Sequence, residues 1–142
     1  MGLPVKKSGL RERRIIEQFI NGEFKNWVSK IQEVVGTPVP VNVDWDSLYF
    51  QEADADYWVE NFENVYFKPT IEAFKSICSD DMGKEAVNNK VKEIYIKNSD
   101  GRYLDCLSIE GDKFVIDRAP DKNTHNVDAK TQEMVTYLED NL

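Results

Sequence analysis

The apolar residues of this chain change their spacing abruptly. Phe24, Trp27, Val28, Ile31, Val34 and Val35 recur every three or four positions, and directly afterwards Val39, Val41, Val43 and Trp45 recur every two. The first spacing lines one stripe of a helix and the second lines one face of a strand. A chain that holds both patterns is neither a helical bundle nor a pure β-sandwich, because each apolar face has to bury itself against the other kind of element. Gly36 and Pro38 stand between the two patterns and supply the helix stop. Pro40 cannot donate to a sheet ladder, so the strand it opens is expected at an edge, or with Pro40 at its start.

The same reading extends in both directions. Leu10, Ile15, Ile16, Phe19 and Ile20 predict a shorter first helix, ended or kinked at Asn21-Gly22. Helical spacing returns from Ala53 through Trp58, Phe62, Val65 and Tyr66, and beyond Pro69 through Ile71, Phe74, Ile77 and Cys78. Pro69 lacks an N–H for the preceding turn, which predicts a kink or a second helix with the proline in its first turn. Ser79-Asp80-Asp81 offers capping oxygens to a short helix that reaches Lys90. Ile94 and Ile96 about Tyr95 predict a strand, and Asn98-Ser99-Asp100-Gly101 a tight hairpin turn, since Asp-Gly supplies positive φ. Arg102–Ile109 is the expected return strand, Glu110-Gly111-Asp112 a second turn and Lys113–Arg118 a third strand, together an antiparallel meander. A polar loop from Ala119 to Asn126 leads to a last helix on Val127, Met134, Val135, Leu138 and Leu142, with Asp128 complementing its amino-terminal dipole. The expected fold class is α+β, in the order ααβααβββα, with helices packed on one face of a roughly four-stranded, mainly antiparallel sheet. Residues 1–9 read as a basic polar tail, and residues 10–142 as a single domain.

Seven Phe, six Tyr and three Trp are too many large apolar side chains for a disordered chain of 142 residues. No apolar run reaches the ~20 residues of a membrane span, and the start of the chain lacks the apolar stretch and cleavage site of a secretory signal. Lys6 occupies the position where a myristoylation signal after Gly2 needs Ser or Thr. Cys78 and Cys106 do not form a disulfide framework and are expected to be reduced and buried. The expected setting is therefore cytoplasmic, with no membrane association.

Charge is unevenly spread. Lys6, Lys7, Arg11, Arg13 and Arg14 face Glu12 alone in residues 1–14, a local net of +4, so with −8 on the whole chain the remainder carries −12. An anionic body repels phosphate backbones and argues against a nucleic-acid role, leaving the basic tail as the sole candidate contact.

The residues that carry chemistry do not form a recognisable set. His125 is the single histidine and sits in the polar stretch Asp121–Asn126, where Thr124 or Asn126 reads as a helix cap; a Cys-His or Ser-His site would have to use it. Two cysteines and one histidine match no zinc spacing, and neither a dinucleotide nor a P-loop phosphate signature occurs. Asn98-Ser99-Asp100-Gly101 lacks the first and last ligands of a calcium loop. Asp44 and Asp46 flank Trp45, Asp54 and Asp56 precede the Trp58 helix, and Asp80-Asp81 opens the next one; turn and capping roles account for all three pairs. The expectation is no catalytic residue, no cofactor and no metal, with a metal-assisted enzyme using Asp44 and Asp46 or Asp80 and Asp81 as the alternative, and an accessory or oligomerising domain as another.

Aromatics crowd the stretch from Trp45 to Phe74. Trp58, Phe62 and Phe74 fit an inward helical stripe, whereas Tyr49, Phe50, Tyr57 and Phe67 fall off it. Exposed aromatics among acids have the composition of a hot spot for a cationic protein. The expected partner-binding residues are accordingly Tyr49, Phe50, Glu52, Asp54, Asp56, Tyr57 and Glu60, and the expected function is a small acidic module that sequesters a basic protein partner in the manner of an immunity protein or antitoxin.

Overall fold

The computed structural model describes residues 9–49 and 56–142, apart from the side chain of residue 56. Helices α1 (Leu10–Asn21) and α2 (Glu23–Val35) are followed by strand β1 (Val41–Val43) and a single 3₁₀ turn, Trp45–Leu48. Helix α3 (Asp56–Phe62) runs through a π-helical turn, Glu63–Phe67, into α4 (Lys68–Ile77), and α5 (Asp81–Lys90) precedes β2 (Glu93–Lys97), β3 (Leu107–Glu110), β4 (Lys113–Asp117) and α6 (Val127–Asn141). The architecture is α+β. No described helix is long and apolar enough to cross a membrane.

The helix boundaries follow local chemistry. Gly36 takes the left-handed conformation, φ 86°, and its N–H closes α2 onto Gln32 O. Asp80 caps α5 by accepting from Gly83 N at 2.8 Å. Gly83 itself packs so closely that a Cβ would lie 1.7 Å from Ile77 O, which lets α5 fold back directly on the end of α4.

Pro69 leaves a subtler mark than a kink. It lies in the first turn of α4, and the turn before it widens to a π-helix, with Lys68 N bonding to Glu63 O, five residues back. The wider turn makes room for the proline ring, which in a regular helix would press on the carbonyl four residues earlier. The inserted residue also rotates everything beyond it. Phe67, expected off the inward stripe, is therefore fully buried at 1% exposure beside Tyr66 and Phe62. Its ring stacks on Trp27 at 6.0 Å and lies 5.9 Å from Phe19 and 5.7 Å from Phe24.

The sheet departs from the expected meander. Its order is β1-β2-β4-β3, with β1 and β2 parallel, β2 and β4 parallel, and only β3 and β4 antiparallel, so the sheet is mixed rather than mainly antiparallel. Strand β1 takes an edge, as Pro40 predicts. The turn at Gly111, φ 68°, joins β3 to β4 as a hairpin, but Asp100-Gly101 does not join β2 to β3. The chain instead crosses over the end of β4 and enters the sheet beyond it. Phe114, Val115 and Ile116 are all buried, a run that suits a strand covered on both faces, whereas every residue of β3 is at least partly exposed. The strand with most apolar surface has taken the interior position, and β3 the edge.

Val41, Val43, Ile94, Ile96, Phe114, Ile116, Leu107 and Ile109 belong to the core shared with the helices, while the alternating residues Asn42, Tyr95 and Ser108 do not. On that second face the Lys113 ammonium lies 5.0 Å from the centre of the Tyr95 ring.

Candidate functional site

Phe50, Glu52, Asp54 and the side chain of Asp56 lie outside the described residues, as does the basic segment 1–8. Of the remaining expected partner-binding residues, Tyr49 is half-buried with its ring 5.2 Å from Trp58, so part of its surface packs on α3 instead of facing solvent. Tyr57 is 60% exposed, and Glu60, one helical turn on, is exposed as well.

Among the paired aspartates the side chains of Asp54 and Asp56 lie outside the described residues, and the others stand at a turn and a helix start. Asp44 and Asp46 flank the start of the 3₁₀ turn, with Ser47 Oγ donating to Asp44 O at 2.7 Å, and Asp80 is occupied as a helix cap. Among the described residues no three His, Cys, Asp or Glu side chains converge on a point that would hold a metal ion. His125 is exposed just before Asn126, whose Oδ1 accepts from Ala129 N at 3.3 Å and caps α6. Cys78 and Cys106 are free and buried, and burial pushes both thiols upward, the opposite of what a nucleophilic thiolate needs.

The chain gathers its unusual chemistry at the carboxyl ends of the parallel strands, where loops collect in sheets with parallel strands. The segment that crosses from β2 to β3 is fastened there. Asn98 N donates to Ser47 Oγ at 3.0 Å, and Gly101 N donates to Asn98 Oδ1 at 2.9 Å, so Asp100-Gly101 closes a local Asx turn in place of a hairpin. Ser99 donates through its N–H, at 2.9 Å, and its hydroxyl to the Asp117 carboxylate. Arg118 N bonds to Lys97 O, Ala119 N to Arg102 O and Asp117 N to Cys106 O, at 2.8 to 3.0 Å.

Beneath this segment lies a layer of buried polar groups. Arg118 is 2% exposed, and its guanidinium donates to the Glu133 carboxylate from α6. The Tyr66 hydroxyl donates to Arg118 O at 2.5 Å, and burial holds its pKa well above the ordinary tyrosine value. Lys130, also 2% exposed, donates to the carbonyls of Asn123 and Asn126, and burial, aided by the Arg118 charge, draws its pKa down. These groups brace the loops from the inside; their burial leaves them no role in outward recognition.

Above the layer the rim is anionic. Asp44, Asp46, Asp100, Asp105 and Asp121 are exposed on it, against Arg102 and Lys122. Both bases are engaged within the protein. Arg102 grips Asp100 with two bonds of 2.9 and 2.8 Å and reaches Asp105 O, which holds the Asp100 carboxyl below the ordinary range, while Lys122 donates to Gly101 O at 2.7 Å. Between these fastenings Tyr103 and Leu104 protrude, 52% and 65% exposed. Both fall within the expected return strand Arg102–Ile109, but the strand that forms is shorter, Leu107–Glu110. Asp105 takes the left-handed conformation, φ 52°, which aspartate tolerates better than most residues, and pairing begins only at Leu107. Comparison with protein-family models, with curated proteins and with solved structures returned no match.

Proposed function

We propose that this protein is an acidic binding module that holds a basic protein partner, as an immunity protein or antitoxin covers a cationic cleft. The observation that supports this reading best is the state of its exposed carboxylates. Among the described residues the ion pairs are Lys75–Glu72, Arg102–Asp100 and Arg118–Glu133. Asp44, Asp46, Glu60, Asp81, Asp105 and Asp121 are exposed and make no ion pair within that set. Unmatched charge of one sign repels itself and destabilises the compact state, and it is offset when an oppositely charged surface arrives; the same field speeds and orients that encounter. The buried, upshifted thiols and the solvent-facing His125 lend no support to nucleophilic chemistry.

Co-purification of the tagged full chain from its native host tests the reading. A basic protein in stoichiometric amount is expected at low salt and should be released toward ~1 M salt, where the screening length falls to about 3 Å. Recovery of nucleic acid, or of no stoichiometric protein at low salt, overturns it.

A further inference from the structure

Resting on that reading, the geometry points to the Tyr103–Leu104 tip, on the same carboxyl-end loops as the exposed aspartates, as the surface that receives the partner, and to an amphipathic segment of lysines, arginines and apolar residues as what docks there. Among the described residues the exposed large apolar side chains are Leu10, Tyr57, Met82, Tyr103 and Leu104. Leu10, Tyr57 and Met82 each stand alone on a helix; Tyr103 and Leu104 are adjacent. Their exposure is imposed by the fold. Arg102 O and Cys106 O are both tied to the exit of β4 by 2.8 Å bonds, Arg102 clamps Asp100 on one side and Asp105 O on the other, and Asp105 adopts positive φ. A loop fastened at both flanks loses little freedom when it binds, so the apolar contact retains most of its worth.

The chemistry around the tip selects the occupant. Exposed Asp105 follows Leu104 directly, exposed Asp121 adjoins Lys122, whose ammonium lies over the Tyr103 ring, and Asp44 and Asp46 stand on the turn that the Ser47–Asn98 bonds tie to this segment. The Lys122 ammonium stands 5.9 Å from the centre of the Tyr103 ring and covers one of its faces, so the rest of that ring and Leu104 form the apolar contact. An apolar pair alone would accept any greasy surface, and acids alone any polycation. Their combination favours a segment that presents apolar side chains among guanidinium and ammonium groups, with the apolar contact as the central anchor and the ion pairs at its margin.

A titration of the full chain by amide NMR with a synthetic amphipathic peptide of arginine, lysine and leucine tests this, with an oligolysine of equal charge as the second probe. Shifts are expected to gather at residues 44–47, 98–106 and 121–123. Tyr103→Ala with Leu104→Ala should weaken the peptide about tenfold or more while leaving the oligolysine unaffected. Met82→Ala, at an exposed apolar side chain on α5, should leave both probes unchanged, and unaltered melting of each variant excludes misfolding as the cause. Shifts centred on Tyr57 and Glu60, or a double variant that binds the peptide as well as the parent, remove this surface while the basic-partner reading stands. Failure of the peptide to bind also removes it, and the native-host co-purification then decides the wider reading separately.

Discussion

The aromatic junction of α1, α2 and the π-turn and the rim at the carboxyl ends of the strands are both densely packed, but they are held by different forces. At the junction Phe19, Phe24, Trp45, Phe62 and Phe67 pack edge to face or tilted at centroid distances of 5.1 to 6.3 Å, and Trp27, stacked on Phe67, adds a 3.0 Å bond from its Nε1 to Glu63. At the rim the buried groups are Tyr66, Asp117, Arg118 and Lys130, each bound to a carbonyl, a carboxylate or a serine. The junction draws its stability from apolar area and shape, which do not respond to protons. The rim draws its geometry from charge and hydrogen bonds, which fix direction as well as distance and can therefore hold a loop tip out in solvent. The lesson is that stability and presentation have been assigned to different parts of one small core.

Four perturbations break or sharpen that contrast. Phe67→Ala should have the largest effect, about 3–5 kcal/mol by chemical denaturation, constant from pH 5 to 8 because no titrating group is lost. Glu133→Ala should follow at about 2–3 kcal/mol, since it strands the buried Arg118 cation; the loss is below the 3–5 kcal/mol of a fully buried pair because the Glu133 side chain is 38% exposed. A cycle with Arg118→Met should recover most of that loss, and a cycle that is simply additive would mean that the pair does not act as a unit.

Tyr66→Phe should cost about 1–2 kcal/mol at neutral pH for the hydroxyl bond to Arg118 O. It should also change the alkaline limb. The folded pKa of Tyr66 lies above the unfolded value of 10.0, so between the two the folded state keeps a proton that the unfolded state has released, and stability falls as pH rises through that window. Lys130 acts in the opposite sense: its folded pKa lies below 10.5, so stability rises with pH between the two values. A denaturation series from pH 8 to 11 should therefore show a shallower decline in Tyr66→Phe than in the parent, and parallel curves would contradict the burial-driven shift. The smallest effect belongs to Tyr103→Ala with Leu104→Ala, expected within about 0.5 kcal/mol of the parent, because the tip touches solvent. A larger loss would place these side chains in the fold and withdraw them from recognition.

Much of the architecture was legible along the chain. The period of α2, its stop at Gly36, the edge position of β1, the cap at Asp80 and the hairpin at Gly111 all follow from interactions spanning a few residues, and the structure places each where that chemistry predicts. The candidate surface was less legible. Tyr57 and Glu60 are exposed on α3, but the apolar pair at the rim went unseen because Tyr103 and Leu104 suit a strand as well as a loop.

Two decisions belonged to the tertiary structure. The inward turn of Phe67 depends on a π-turn that accommodates Pro69, and a constant helical period carried past that proline assigns the ring to the wrong side. The crossing of residues 98–106 over β4 depends on which strand most needs cover on both faces, a competition between Phe114–Ile116 and Leu107–Ile109 that is settled only when the sheet meets the helices. Local spacing fixes which face of an element is apolar, because neighbours along the chain are always present. It does not fix which strands become neighbours, because that depends on the total area the whole fold can bury.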